Sequence, residues 1–200
     1  MDEKTAAEEL SFIKNIINDS RNSFALSGKP YIIWGILIVI GLFLEFFRKF
    51  FVWDFNYMYY VWILLVTAGW LYSYFLSKKH NKSNKMKSLG SKILGSVWLA
   101  CGISMTIFGL LGTISGAIKG IYVSPVMSMI LGIAYFITAV IYDYKWLRNL
   151  SAGWWVGAII MFFYPSQYTN LIMAFMMIGL QIVPGIILLN KVKNSSAQTA

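Results

Sequence analysis

Charge and reactive side chains are what this chain has least of. Only 12% of its 200 residues are Asp, Glu, Lys or Arg, and it holds one histidine, one cysteine and eight carboxylates. A soluble domain carries about a quarter charged residues, so polar surface is too scarce here for a water-soluble fold. The single cysteine, Cys101, sits inside an apolar run; it rules out an intramolecular disulfide and reads as a small packing residue. The single histidine, His80, lies in the basic stretch "SKKHNKSNKMKS" with no second His or Cys nearby, which leaves no metal site. No Ser/His or Cys/His pair and no paired acids fall within the apolar segments, so hydrolase and transferase chemistry has no visible agents. The sequence predicts a protein that is not an enzyme and needs no cofactor. The first thirty residues contain five acids and no apolar core of a signal peptide, so the first span is expected to start insertion itself. The "SGK" at Ser27 to Lys29 lacks the upstream glycine and the following hydroxyl residue of a phosphate loop.

What the chain does have is apolar length. Hydrophobic residues make up 58% of it. They gather in six segments, 31–47, 57–76, 93–118, 123–142, 150–164 and 171–190, most of them near the roughly 17 to 25 residues that cross a bilayer as helix. The fifth segment is short and ends at Pro165; a partial, re-entrant passage is the alternative there. Placing the 17 Lys and Arg at the segment ends puts fourteen on one side, and Arg48, Lys49 and Lys119 on the other. By the positive-inside rule both termini are then cytoplasmic. The net charge of +9 is accounted for by topology and by attraction to anionic inner-leaflet lipid, without nucleic acid.

The expected fold is therefore all-α: a polytopic bundle of six transmembrane helices over residues 30–190. An amphipathic cytoplasmic leader precedes it over 1–29, and a disordered cytoplasmic tail, 191–200, follows. In the leader, Ala6, Leu10, Ile13, Ile17 and Phe24 recur at helical spacing, and Thr5 with Glu8 fits a capping box. Gly28 and Pro30 end that helix, and Pro30 suits the first turn of the membrane helix. The leader either packs under the bundle or lies in the headgroup layer, or it docks a cytoplasmic protein partner or a second copy of the chain. The first is the expected placement, and the acids Asp2, Glu3, Glu8 and Glu9, repelled by an anionic leaflet, count slightly towards docking. Trp34, Trp98, Trp154 and Trp155 fall near the cytoplasmic ends of the first, third and fifth spans and read as interfacial anchors, in a weak threefold hairpin pattern.

Three features hold candidate chemistry. "GLQIVPG" puts Gln181 three residues before Pro184; proline removes a backbone donor, and a broken helix with a polar side chain at membrane depth is a way transporters build a site. The bland alternative is a hydrogen bond from Gln181 to a neighbouring helix. Glu45 is the only acid within a span, and Arg48 and Lys49 follow at ion-pairing distance in sequence. Around it, eleven of the twenty residues from Phe43 to Trp62 are aromatic, which makes an outer aromatic belt or, with Trp53, Tyr57 and Tyr60 foremost, a surface for an organic cation. Finally, Gly95, Gly102, Gly109 and Gly116 recur every seven residues and predict a slowly winding bare seam along the third span for a neighbouring helix to pack against.

The stretches "FIKNIINDSRNSFALSGKPYIIWGILIVIGLF" and "GWWVGAIIMFFYPSQYTNLIMAFMMIGLQIVPGIILLNKVK", about a third of the chain, resemble a group of uncharacterised bacterial multi-span membrane proteins with a short amphipathic leader. The resemblance implies a bacterial inner-membrane location and supplies no activity, ligand or functional residue. The functional expectation is a non-enzymatic membrane subunit that acts through contacts, with a small transporter or channel at the broken sixth span as the alternative.

Overall fold

The computed structural model describes residues 28–51, 57–83 and 89–197, with the side chains of 80–83, 89 and 191–197 outside that description. The leader helix, Trp53 and the ring of His80 thus lie outside the described residues. Among those described there is no strand.

The first span is α1 (Lys29–Phe50) and the second α2 (Met58–Ser83). The third is α3 (Leu89–Thr106), prolonged by a π-helical segment π1 (Ile107–Leu111) and a last turn α4 (Gly112–Ile114). A 3₁₀ turn (Gly120–Tyr122) leads into the fourth span, α5 (Val123–Tyr142), followed by the fifth, α6 (Lys145–Phe163). The sixth is α7 (Thr169–Met176), a second π segment π2 (Met177–Ile182) and α8 (Val183–Ala197). Five of the six are long and apolar enough to cross a membrane, α6 being the exception. At 19 residues α6 has nearly the needed length, but Lys145, Arg148 and Asn149 dilute its first turns. The multi-pass helical membrane architecture expected from hydropathy is what the chain forms.

The prolines mark the element ends as their chemistry requires. Pro30 sits in the first turn of α1, where the missing N–H would have had no partner, and Pro165 follows the end of α6 at Tyr164. Two boundaries differ from expectation. The third span ends at Ile114 rather than near 118, because Gly116 takes a left-handed φ of 75° and Ile118 N–H donates back to Gly112 O at 2.9 Å. The residues expected as a disordered tail from 191 remain helical as far as Ala197.

Packing divides the spans into two classes. The fourth and fifth are joined by a turn at Asp143, in the left-handed region at φ 50°, and lie side by side: the Trp155 indole covers the bare backbone of Gly132, and Ser128 Oγ donates to Trp154 O at 2.6 Å. The first and sixth meet more closely still. Gly28, left-handed at φ 74°, sets its carbonyl against Gly185, while Gly35 faces Ile182 and Gln181; a side chain at Gly28 would strike the Gly185 carbonyl. The second and third lie at the side of this group of four, the third touching it through Trp98. Trp62 covers Gly41 and Trp34 covers Gly69, which ties the second span to the first; Trp70 covers Gly102, which ties it to the third.

The four-glycine seam therefore does not receive one helix along its length. Gly95 faces open space, Gly102 takes the Trp70 ring, Gly109 meets the terminal methyl of Met127, and Gly116 has left the helix. The sevenfold stripe assumes an unbroken α-helix, and π1 interposes a wider turn between Gly102 and Gly116. The close glycine contact is made by the first and sixth spans instead. Nor are the tryptophans simple anchors at the lipid boundary, since Trp154 is wholly buried and the others rest on neighbouring helices.

Candidate functional site

Where the first, third, fourth, fifth and sixth spans converge, four aromatic rings pack into one cluster. Tyr31, Trp98 and Tyr135 meet edge to face, with centroids 5.1, 5.6 and 5.7 Å apart, and Trp154 lies 6.1 Å from Tyr135. Edge-to-face contact sets the positive rim of one ring against the negative face of the next, which fixes ring orientation as well as filling space. Each ring carries a polar tip, and a buried tip needs a partner. Tyr135 Oη donates to Gln181 Oε1 at 2.7 Å, and both residues are buried. Trp98 Nε1 donates to Thr138 Oγ1 at 3.1 Å, whose own hydroxyl proton goes to Ala134 O, one turn back, at 2.6 Å. The Tyr31 hydroxyl faces the same Trp98 and Thr138 groups but meets neither at hydrogen-bonding geometry. Trp154 Nε1 is buried without an acceptor.

Gln181 reaches this cluster because of the helix it sits on. Pro184, itself buried, has no N–H to give to the carbonyls one turn earlier. The backbone widens to π geometry over Met177–Ile182, with Val183 N–H donating to Ile178 O, five residues back. This break was foreseeable from "GLQIVPG". The cross-helix bond to Tyr135 is the bland alternative of the sequence reading, now with a named partner on the fourth span.

The other candidates lie elsewhere. Glu45 is near the opposite end of α1, its carboxylate 15% exposed, with Arg48 at 2.8 Å and Lys49 at 3.2 Å on the same oxygen. This is the pairing its sequence neighbours suggested. Around it the phenylalanines stack at helical spacing, Phe43 on Phe47 on Phe51 and Phe46 on Phe50, and Phe46 also meets Tyr168 of the sixth span's lead-in. Tyr60 is 68% exposed and tilts against Tyr57 at 6.1 Å, so it faces outward rather than into a binding pocket. Glu45 and Tyr60 are not brought to Gln181. Pro184 joins Gln181 through the backbone alone.

Sequence reasoning missed Tyr31, Tyr135 and Trp154 as members of the site. A usable signal was present: in the fourth span only Ser124, Ser128, Tyr135 and Thr138 carry polar tips short of its last residue, and all four are buried. The cluster offers hydrogen-bond donors and aromatic faces. Among the described residues it contains no carboxylate, imidazole or amine, and no group of three potential metal ligands occurs. No family model matches the chain, and neither a curated protein nor a solved structure matches it.

Proposed function

We propose that the chain is a non-enzymatic membrane subunit, accessory, sensory or regulatory in kind, that works through contacts made by its helices and its cytoplasmic segments. The observation that supports this most is the state of the interior. The polar side chain at the helix break is already held by Tyr135, the surrounding rings pack against one another, and the charged pairs lie at a span end. Ion-coupled transport uses acids and bases facing the bundle interior. Contacts with a cytoplasmic partner or a second copy ask only for a stable scaffold, and the four inner spans supply one. In this reading both termini face the cytoplasm of a bacterial cell, the six spans cross its inner membrane, and the leader reaches the partner.

A transporter or channel at the broken sixth span is the second reading, favoured by one feature: π2 surrounds Gln181 at membrane depth beside Pro184. Vesicle flux measurements on the intact protein, Gln181→Leu and Glu45→Gln separate the two. The contact reading expects no flux of any tested solute class, together with a co-purifying partner lost on deletion of residues 1–26. Reproducible flux abolished by Gln181→Leu would overturn it.

A further inference from the structure

The second and third spans combine two properties that are separate elsewhere in the molecule. First, they have little protein around them. Of the most apolar stretch of the third span none is buried within the chain, the buried Leu94 lying before it, and of the second only 11%, against 50% in the fourth. What fastens them is a handful of tryptophan contacts: Trp34 of the first span donates to Ser73 of the second, Trp98 of the third donates to Thr138 of the fourth, and Trp70 joins the two spans to each other, its ring on Gly102 and its Nε1–H donating to Thr106 Oγ1 at 3.2 Å. Second, the ends they share are strongly basic. The stretch from Ser77 to Lys92 holds six lysines and no acid. Of these, Lys78, Lys79 and Lys92 are exposed, and among the described residues none pairs with a carboxylate. At the far end of the bundle Arg48 and Lys49 are both committed to Glu45, which among the described residues leaves Lys119 as the exposed cation there without a carboxylate partner.

We infer that anionic phospholipid headgroups bind across Lys78, Lys79 and Lys92 and hold the second and third spans in their place beside the inner four. The lysines stand where lipid-facing helices emerge from the apolar layer, so headgroup phosphates are the anions at their level. Phosphate oxygens also supply the counter-charge that no protein carboxylate provides there. Each Lys or Arg near an anionic surface strengthens binding about fivefold. Three together add to the packing contacts these spans make. The inference rests on the chain being embedded in a bilayer.

Amide hydrogen exchange of the full-length protein in lipid nanodiscs tests it. Exchange within Met58–Lys79 and Gly90–Ile114 should be on the order of tenfold slower in discs containing phosphatidylglycerol than in pure phosphatidylcholine, while the fourth and fifth spans exchange alike in both. The triple variant K78Q/K79Q/K92Q should lose the difference, and K119Q, at the other end of the third span, should keep it. Equal exchange in the two lipids, or a difference that survives the triple variant, would overturn the inference. So would rescue in pure phosphatidylcholine by a soluble polyanion such as poly-glutamate or an oligonucleotide, which would assign the lysines to an acidic macromolecule. Release of the protein from membranes by alkaline carbonate would reject the bilayer reading itself, and retention with no lipid dependence would reject only the headgroup inference.

Discussion

The first, fourth, fifth and sixth spans bury their contacts in one another, whereas the second and third turn most of their surface outward. The difference is chemical before it is geometrical. In lipid there is no hydrophobic gain from helix association, so spans stay together where small residues let backbones approach and where polar tips find partners. The inner four have both. Gly28 and Gly35 meet Gly185 and Ile182, Gly132 receives Trp155, and hydroxyl or amide links join Tyr135 to Gln181 and Ser128 to Trp154. The outer pair is joined to the rest through indole rings laid on glycines and two indole hydrogen bonds, Trp34 to Ser73 at 2.9 Å and Trp98 to Thr138 at 3.1 Å. Glycine alone does not decide which span is inside, since the third has as many as any. What decides is whether a partner surface meets it.

This contrast can be broken at graded points. The harshest is Gly185→Leu, whose side chain would enter Tyr31, Ile32 and the Gly28 carbonyl; no monodisperse protein is expected on purification, and a normal yield would remove the first and sixth spans from the inner group. Trp154→Ala empties a fully buried indole site and should cost about 3–5 kcal/mol in a detergent unfolding titration. Trp70→Ala should lose less than half of that, and equal losses would erase the inner and outer distinction. Tyr135→Phe removes the donor to buried Gln181 and should cost about 1 kcal/mol, with Gln181→Leu in that background adding little more. The mildest is Gly95→Leu, which meets open space and should change stability by less than about 0.5 kcal/mol. A large loss there, or a changed oligomeric state, would show that a second copy covers the third span.

Much of this fold was legible because lipid imposes simple rules. Span positions followed from apolar length, Pro30 and Pro165 marked ends, and the Glu45 pairing followed from residues three and four places on. The helix break at Gln181 and Pro184 was legible for the same reason, since only one backbone group is missing and its position is known. What could not be read was which faces meet. The seven-residue glycine period is a property of one helix, and its value depends on a neighbour that the sequence of that helix does not specify. The expected seam also ran across π1 and the left-handed turn at Gly116, where periodicity ceases to describe direction. Tyr31 and Tyr135 escaped notice because, taken singly, an aromatic residue in a span is ordinary. Only their convergence with Trp98 and Trp154 made a cluster, and convergence is a tertiary fact.

The carbonyl of Gly28 against Gly185 has a mechanical meaning. Residues 1–27 are joined to the bundle at Gly28, the point where the first span is pinned to the sixth, one residue past Pro184 and one helical turn past Gln181. Force applied to the N-terminal segment is therefore delivered to the sixth span, just past its π segment. A pull there bears on the Gly28–Gly185 contact, and through it on the helix that the Tyr135–Gln181 bond ties to the fourth span.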